Sequence, residues 1–485
     1  MAELVVPLTP LIPSPPPLTE PTSTSNNEVH ANPTMTFLAA AQRVGCTVHP
    51  AVRFDADRKR PAAHLVALSG LSDPTHALCL SVDTQPLTAC ASFHLDLVAA
   101  PFHCHVDADV PKDTLMFALP LHLVLTPDPG TDLPNAGKHA GLVLTLAQRL
   151  HCQHDGHSHL SSLSHIRPEP EPEPPSKKTP ESDFWRQYLA AAAVPDAALY
   201  WDEARVHALR GTNLAASLPT QQAELARQLA ALHASDYAQR HQIPVTTLRH
   251  AHQLVLSRAF ARDSLPPLPA SFASHAAYLL PIFDALNHSH TLVNLRFVLE
   301  DQALGFRTTQ PVPRGGRLYN TYGDRTNEEL LCSYGFELAE PSCDAVTLAL
   351  VLPDIPPASA AWLAQHLPRD WVTEPLAADK LRLRAVLRSD NWAWLILAIL
   401  ISEGLDLDGP LDSCQIQPLL QGLPHEFVKA GVAPLLQRLA ALAQCTSAPA
   451  TGAPGHLYVT GVQRICAHIQ QQATALLAQC TDDSD

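Results

Sequence analysis

The stretch Pro281–Phe336 constrains the fold of this chain more than any other part of its sequence. It opens with PIFDALNHSH, and residues 294–309 then alternate apolar and polar side chains on either side of a short turn. Such alternation predicts a β-hairpin. A second turn at Gly315-Gly316 leads into the predicted strand RLYNTYG, and NEELLCSYGF then predicts a short helix that ends at Gly335.

Helical patterns flank this stretch on both sides. In residues 183–260, apolar side chains such as Leu225, Leu229 and Leu232 share one helical face. Beyond Ser342, apolar side chains repeat in the same way on two further faces, which comprise Val432, Leu435, Leu436, Leu439 and Leu442, and then Val462, Ile465, Cys466, Ile469, Ala473, Leu476 and Leu477. We therefore predict a helical insertion at 183–260 and a helical domain at 343–480.

The N-terminal part is predicted to hold one ordered region between two segments that cannot build a core. Residues 1–34 are interrupted by prolines and lack the features of a signal peptide, so we predict a disordered tail. The ordered region follows to residue 150, with the helical pattern FLAAAQRVG and short β-like pieces such as HLVALSG and HALCLSV. Residues 151–182 are histidine-rich and then Pro/Glu-rich, which predicts a disordered insertion without a functional metal site.

Composition argues against several classes of protein. With 32 basic and 47 acidic residues the formal charge is −15, and the absence of a basic block argues against direct nucleic-acid binding. The acidity suits a basic protein partner, or it only keeps the chain soluble. The eleven cysteines form no CxxC pair, which argues against a zinc cluster and predicts reduced thiols in an intracellular protein. The apolar run Trp392–Ile401 is about half the ~20 residues that span a bilayer, so it predicts a buried helix.

Three short elements follow one another between Asp284 and Phe336, namely D-x-x-N-H, Y-G-x-x-x-N and Y-G-F. In this order they resemble the C-terminal half of the SET domain in methyltransferases of the Rubisco large-subunit type. LSRAF, DFWRQYLAAAAVP and YWDEARVHALRGTNL are similar to parts of the helical insertion of that family. The resemblance implies an α+β fold, with a β-rich SET domain at 35–342 followed by an all-α substrate-binding domain at 343–480.

The same resemblance implies an S-adenosylmethionine-dependent protein-lysine N-methyltransferase. It would act on a protein substrate in the cytoplasm or nucleus, with no membrane partner. The residues implied in cofactor binding are Arg258, Asp284, Asn287, His288 and Phe336, and the catalytic residues are Tyr334 and, as second choice, Tyr322. A guanidinium suits the carboxylate of the cofactor. A tyrosine face stabilises a cation by roughly 0.5 to 2 kcal/mol, which suits the sulfonium.

Each of these residues also has a simpler structural interpretation when it is taken alone. Asn287 and His288 could be turn residues, and the two tyrosines could be core or rim aromatics. Arg258 could be a surface helix residue, and Asp284 could cap the turn that follows it. The joint order and spacing of the three elements favours the functional interpretation.

One feature of SET domains has no counterpart in this chain. The early Gly-x-Gly element, which allows close approach of a cofactor, is replaced by Ala62 and Ala63, so no cofactor-binding residue is assigned before Arg258. Two alternatives remain open, the first because of this absence and the second because some relatives with this architecture modify histidine. The first is a SET-like scaffold that binds proteins without catalysis. The second is a protein-histidine N-methyltransferase, although the tyrosine in CSYGF favours lysine.

Overall fold

In the computed structural model the described residues are 33–56, 102–131, 133, 136–155, 179–272, 275–339, 341–352, 355–377, 380–407, 411–445 and 448–480. The α-helices are α1 (Pro33–Arg43), α2 (Ala140–Asp155), α3 (Pro180–Ala191), α4 (Glu203–His207), α5 (Asn213–His233), α6 (Asp236–Arg240), α7 (Val245–Arg258), α8 (Asn327–Glu329), α9 (Pro357–His366), α10 (Ala393–Ser402), α11 (Ser413–Gln421), α12 (His425–Cys445) and α13 (His456–Leu477). The strands are β1 (Thr47–Val48), β2 (Val52–Ala56), β3 (Phe102–Val106), β4 (Leu115–Pro120), β5 (Ala259–Ala261), β6 (Ala277–Leu279), β7 (Asn287–His288), β8 (Leu295–Glu300), β9 (Ala303–Thr308), β10 (Tyr319–Asn320), β11 (Val346–Leu352), β12 (Val372–Ala377) and β13 (Lys380–Leu387).

The predicted hairpin is confirmed as β8 and β9. These strands pair antiparallel, and the turn residues Asp301 and Gln302 both have positive φ angles, which suits the twist of a two-residue hairpin turn. The hairpin forms one edge of a four-stranded sheet in the order β1-β4-β9-β8. On its buried face Phe297 and Phe306 lie opposite one another, with ring centroids 4.2 Å apart.

Two very short strands lie next to this sheet and position the polar D-x-x-N-H element. Strand β7 pairs in parallel with β10, so that Asn287 lies opposite Tyr319 and His288 opposite Asn320. The predicted strand RLYNTYG is regular only at Tyr319–Asn320, because the chain leaves the ladder as soon as it has passed β7.

The segment predicted as a helical insertion, 183–260, contains helices α3 to α7, which begin at Pro180 and end at Arg258, where strand β5 follows. Leu225, Leu229 and Leu232 are buried on one face of α5, as predicted. The first turns of the same helix contribute Leu214 and Leu218 to a different core, which belongs mainly to the C-terminal region. Helix α5 therefore connects the two larger hydrophobic cores among the described residues.

The α+β class is confirmed, and helices occupy most of the C-terminal region as far as Leu477. The description all-α does not extend to the start of that region, where β11, β13 and β12 form an antiparallel sheet in that order. Strand β13 alternates buried and exposed residues, as in KLRLRAVL, because one face of the sheet covers the helical core. The apolar run near Trp392 is confirmed as the buried helix α10.

The N-terminal predictions are only partly within the described residues. Residues 37–43 of the pattern FLAAAQRVG lie in α1, and Val44-Gly45 follow the helix. HLVALSG, HALCLSV, the Ala62-Ala63 pair and almost all of the tail 1–34 lie outside the described residues. Helix α2 continues to Asp155, past residue 151 where the insertion was predicted to begin. Among the described cysteines none forms a disulfide, and among the described helices none is long and apolar enough to cross a membrane.

Candidate functional site

The D-x-x-N-H element is held in an unusual backbone conformation. Ile282 has φ +78° and ψ −48°, a region that β-branched residues rarely adopt. A 3-10 turn follows at Phe283–Ala285 and leads into β7, and Ile282, Phe283, Asp284, Asn287 and His288 are all buried. Strain of this kind persists only where surrounding packing imposes it, and it is common at functional sites.

Asp284 and Arg258 form a buried ion pair. Arg258 Nη1 donates to Asp284 Oδ2 at 3.2 Å, and the Tyr188 hydroxyl donates to the same oxygen at 2.6 Å. The side chains of Arg258 and Asp284 are only 9% and 2% exposed. Burial raises the pKa of Asp284, whereas Arg258 and Tyr188 oppose that rise. Since a charged group is buried at such depth only with partners, these three side chains form one structural unit.

A cleft opens beside this ion pair. Its walls are mainly apolar and include Phe37, Phe54, Ala192 and Ile282, together with Tyr188, Arg258 and Asp284. Arg258 is therefore not a surface helix residue, and Asp284 does not cap the turn, since no side-chain cap is formed there. Arg258 Nη2 also donates to the Ala193 carbonyl at 2.9 Å, which leaves Nε without a hydrogen-bond partner among the described residues.

Four aromatic side chains converge at the other end of the D-x-x-N-H element, and we call them the aromatic box: His288, Tyr322, Tyr334 and Phe336. Tyr322 lies in the middle, stacked between His288 at 5.0 Å and Tyr334 at 5.1 Å between ring centroids. Phe336 closes the group, with its centroid 6.2 Å from both tyrosines. Asn287 precedes His288 in β7, so the three sequence elements meet in space.

Hydrogen bonds determine the proton positions in the aromatic box. The Tyr322 backbone N–H donates to His288 Nδ1 at 3.0 Å, so a neutral His288 carries its proton on Nε2. Burial, with smaller contributions from the charges of His290 and Arg325, lowers the pKa of His288 to about 3. His288 is thus neutral at physiological pH. The Tyr322 hydroxyl donates to the Leu286 carbonyl at 2.8 Å, so its proton is committed and its oxygen can act only as an acceptor.

The position of the Y-G-F element is set by the end of the helical segment that begins with α8. Thr326 and Glu329 form a capping box at the start of α8, and a wider π-helical turn at Leu330–Tyr334 then ends at Gly335. Gly335 has φ +76°, and a Cβ atom there would lie 2.7 Å from the Asp196 backbone. Only glycine fits this position. Tyr334 and Phe336 can therefore both turn toward the box from the two sides of Gly335.

Asn327, the last residue of Y-G-x-x-x-N, is structural. Its side chain donates to the Leu338 carbonyl at 2.8 Å and accepts from the Leu338 N–H at 2.8 Å, which ties the segment after Phe336 back to α8. Two side chains near the site were not assigned from the sequence. Tyr188 lies in the quoted segment DFWRQYL, where its contact with Asp284, 96 residues away, leaves no local signal. Arg325 lies inside Y-G-x-x-x-N. The sequence signal for it is Glu329, four residues later, with which it forms an ion pair.

Comparison with solved structures identifies the architecture. The SET domain of LSMT bound to lysine and AdoHcy aligns over 93% of this chain and 93% of its own, with a TM-score of 0.55 at 13% sequence identity. Rubisco LSMT bound to AdoMet aligns over 93% of this chain with the same TM-score at 14% identity. This chain has the SET fold of LSMT. At these identities the likeness establishes the fold alone.

Curated relatives of this SET-fold chain match it over shorter stretches. Ribosomal lysine N-methyltransferase set10 of Schizosaccharomyces pombe is 39% identical over 82 residues, which is 16% of this chain and 15% of that protein. Actin-histidine N-methyltransferase of Mus musculus is 26% identical over 184 residues, which is 35% of this chain and 29% of that protein. The matched part is thus less than a third of either relative. No family model matches the chain.

Proposed function

We propose that this chain is a protein-lysine N-methyltransferase that uses S-adenosylmethionine. The observation that carries the proposal is the aromatic box next to the buried Arg258–Asp284 pair, within a chain of SET fold. Methyl transfer from a sulfonium needs no covalent intermediate, so the protein has mainly to position two reactants. Tyrosines suit this task because their hydroxyls orient a nucleophile, although both faces of Tyr322 are already covered by His288 and Tyr334.

The donors at the site fit the cofactor. Arg258 Nε, His288 Nε2 and Asn320 Nδ2 are buried and have no hydrogen-bond partner among the described residues. All three are donors, and a carboxylate and an adenine ring both present acceptors. Arg258 would therefore bind the cofactor carboxylate through Nε, while its Nη1 keeps the hydrogen bond to Asp284. Phe336 would line the adenine side together with His288 and Asn287. The cofactor would supply a methyl group on a positively charged sulfur.

Tyr322 supports lysine as the nucleophile. Because its hydroxyl proton is committed to the Leu286 carbonyl, its oxygen is left to accept a hydrogen bond. A neutral lysine amine offers two N–H groups on the reacting nitrogen, whereas the reacting nitrogen of an imidazole offers none. Accepting one amine N–H at Tyr322 would direct the amine lone pair toward the methyl group.

The box also suits an amine that enters without its proton. An unperturbed lysine has a pKa of about 10.4, so deprotonation near pH 7 costs about 4.6 kcal/mol. Burial among aromatic side chains and a neighbouring sulfonium both disfavour the ammonium form and reduce that cost. His288 is neutral and its Nδ1 is already occupied, so we assign no general base.

The protein-histidine alternative is favoured by one observation. The longer of the two matched stretches, 184 residues, is shared with an actin-histidine N-methyltransferase. A neutral imidazole would need no deprotonation in the box. Tyr322 would then accept no hydrogen bond from the reacting nitrogen, which is why we prefer lysine.

We further propose that residues 343–480 form a substrate-binding domain for a protein partner. The region is joined rigidly to the site, since Glu337 accepts hydrogen bonds from the backbone at the start of α13, including Tyr458 N at 2.9 Å. The Tyr458 hydroxyl donates in turn to Glu328 in α8 at 3.0 Å. With a formal charge of −15 on the whole chain, a basic partner is the natural expectation.

Radiolabelled S-adenosylmethionine incubated with the chain and a cell extract tests the proposal. We expect one or a few labelled proteins, with the label on lysine after mass-spectrometric mapping. The control variant is Arg227→Gln, whose exposed ion pair with Glu224 lies on α5, outside the box and outside residues 343–480. Label on histidine would establish the alternative instead. Absence of label together with no binding heat for S-adenosylmethionine would mean a non-catalytic scaffold.

A further inference from the structure

Tyr188 lies in the wall of the cleft, and its hydroxyl contacts the buried ion pair. The hydroxyl donates to Asp284 Oδ2 at 2.6 Å, whereas Arg258 Nη1 lies 3.2 Å from the same oxygen. Burial and the charge of Asp284 raise the pKa of Tyr188 well above its usual value, so the hydroxyl keeps its proton and remains a donor. Tyr188 therefore makes the shorter of these two contacts to the carboxylate.

The guanidinium of Arg258 is held at both of its terminal nitrogens. Nη1 also donates to the Asp284 carbonyl at 3.3 Å, and Nη2 donates to the Ala193 carbonyl at 2.9 Å. Nε is buried and has no hydrogen-bond partner among the described residues. Because a planar guanidinium with both ends bound has a fixed direction, Nε–H is the donor that is left for a ligand.

Both restraints on this arrangement come from α3 and the residues just after it. Tyr188 lies in the last turn of α3, and Ala193 follows shortly after the end of the helix. The ring of Tyr188 packs against Phe37 and Trp185, with ring centroids 5.8 and 5.5 Å away. These contacts fix the ring independently of the ion pair, so its hydroxyl is a fixed point from which the ion pair is placed.

The Tyr188 hydroxyl limits how closely Asp284 pairs with Arg258. A carboxylate and a guanidinium favour a bidentate pair, in which two N–H groups are bound at once. Such a pair would turn the guanidinium out of the direction in which Nε is free. With the Tyr188 hydroxyl on Oδ2, the carboxylate stays at its present distance from the arginine.

We propose that Tyr188 is a positioning residue that holds Asp284 and so keeps Arg258 Nε free for the carboxylate of a ligand in the cleft. Among the described residues that line the cleft, Arg258 is the one cation. The identity of the ligand, S-adenosylmethionine or its product, rests on the proposed function, whereas the effect of Tyr188 on Arg258 does not. Since Tyr188 acts through the guanidinium, its hydroxyl matters for ligands that carry a carboxylate and not for those that lack one.

Calorimetric binding of two compounds to the full chain tests this selectivity. S-adenosylhomocysteine carries the carboxylate, and its decarboxylated analogue keeps the adenosine, the sulfur and the amine without it. Tyr188→Phe keeps the ring contacts, and we expect it to weaken binding of S-adenosylhomocysteine about fivefold and of the analogue less than about twofold. Asp284→Glu, which moves the carboxylate by one methylene, is the second variant and should show the same selective loss.

The matched control is Tyr237→Phe. Tyr237 is also buried, and its hydroxyl donates to a carboxylate, Asp128 Oδ2, at 2.8 Å, but it does not line the cleft. We expect unchanged binding of both compounds in this variant. Equal weakening of both compounds in Tyr188→Phe, or no weakening of either, overturns the positioning role.

A second measurement needs no ligand. It follows the 15N chemical shift of Arg258 Nε, whose N–H is buried, and assigns it with Arg258→Lys. We expect the shift to change in Tyr188→Phe and not in Tyr237→Phe, and an unchanged shift in Tyr188→Phe overturns the positioning role. If neither compound binds the unaltered chain, the proposed function fails on its own, and the 15N shift still decides whether Tyr188 positions Arg258.

Discussion

Residues 281–336 and helix α10 both contribute buried side chains, yet they are built in opposite ways. Helix α10 is regular and every residue from Ala393 to Ile401 is buried and apolar. The site segment has strands of only two residues, a positive φ at Ile282, and buried polar side chains such as Asn287, His288 and Asn320. Buried polar groups and strained backbone cost stability, whereas apolar burial provides it. The site therefore depends on the two larger hydrophobic cores of the described residues for its shape.

The sharpest test of this contrast separates activity from stability at Tyr334. Tyr334→Phe removes one hydroxyl and no apolar surface, so we expect methyl transfer to fall by about 100-fold or more. The free energy of unfolding should change by less than about 1 kcal/mol. Labelled transfer to the extract and urea unfolding measure the two quantities. A variant with full activity would remove this tyrosine from the mechanism.

In the C-terminal core we expect the opposite result, a loss of stability without a loss of cofactor affinity. Leu395 is fully buried in α10, and Leu395→Ala should lower the free energy of unfolding by about 2 to 5 kcal/mol. The affinity of the folded protein for S-adenosylmethionine should not change. The exposed Leu376 gives the control, since Leu376→Ala should change stability by less than about 0.5 kcal/mol. Equal losses in both variants would contradict the described core.

The free energy of unfolding should depend on pH through Asp344, which joins the site segment at Asn327 to the C-terminal helices at Arg464. Asp344 accepts from the Asn327 and Ala345 backbone N–H groups, and burial raises its pKa from 3.8 to about 6 despite these bonds and Arg464. A carboxyl group whose pKa is higher in the folded state stabilises that state when protonated. Its contribution is complete below about pH 4 and is lost as pH rises through about 6, by roughly 2 to 3 kcal/mol.

Asp344→Asn should remove this dependence. Relative to the unaltered chain, the variant should gain about 2 to 3 kcal/mol of unfolding free energy between about pH 4 and pH 7. Urea unfolding at several pH values measures the difference. A constant difference across that range would mean that Asp344 does not titrate differently on folding.

The smallest expected effect concerns the cofactor. Asn287→Ala should weaken S-adenosylmethionine binding by about tenfold, or ~1.4 kcal/mol, as expected for the loss of one or two hydrogen bonds. Calorimetry measures this affinity, and Arg227→Gln, at an exposed ion pair on α5, provides the control. Unaltered affinity would place the cofactor away from β7.

Local signals account for the parts of the fold that could be predicted. Alternation around a short turn indicated the hairpin, helical periodicity indicated α5, α12 and α13, and a left-handed glycine indicated the end of the helix at Gly335. The sheet of β11 to β13 was not predicted. Its strands VTLALVL and KLRLRAVL are rich in leucine and alanine, which are equally compatible with helices, and the decision came from packing against the C-terminal core.

For the site, the sequence by itself determined which residues were candidates, because the order and spacing of D-x-x-N-H, Y-G-x-x-x-N and Y-G-F are local properties of the chain. Only the tertiary structure decided their partners. Pairing of β7 with β10 brings His288 into contact with Tyr322. Packing of α3 and α7 against the turn at Phe283–Ala285 brings Tyr188 and Arg258 into contact with Asp284. These partners are 26 to 96 residues apart, and no pattern within a segment encodes which distant donor meets which acceptor.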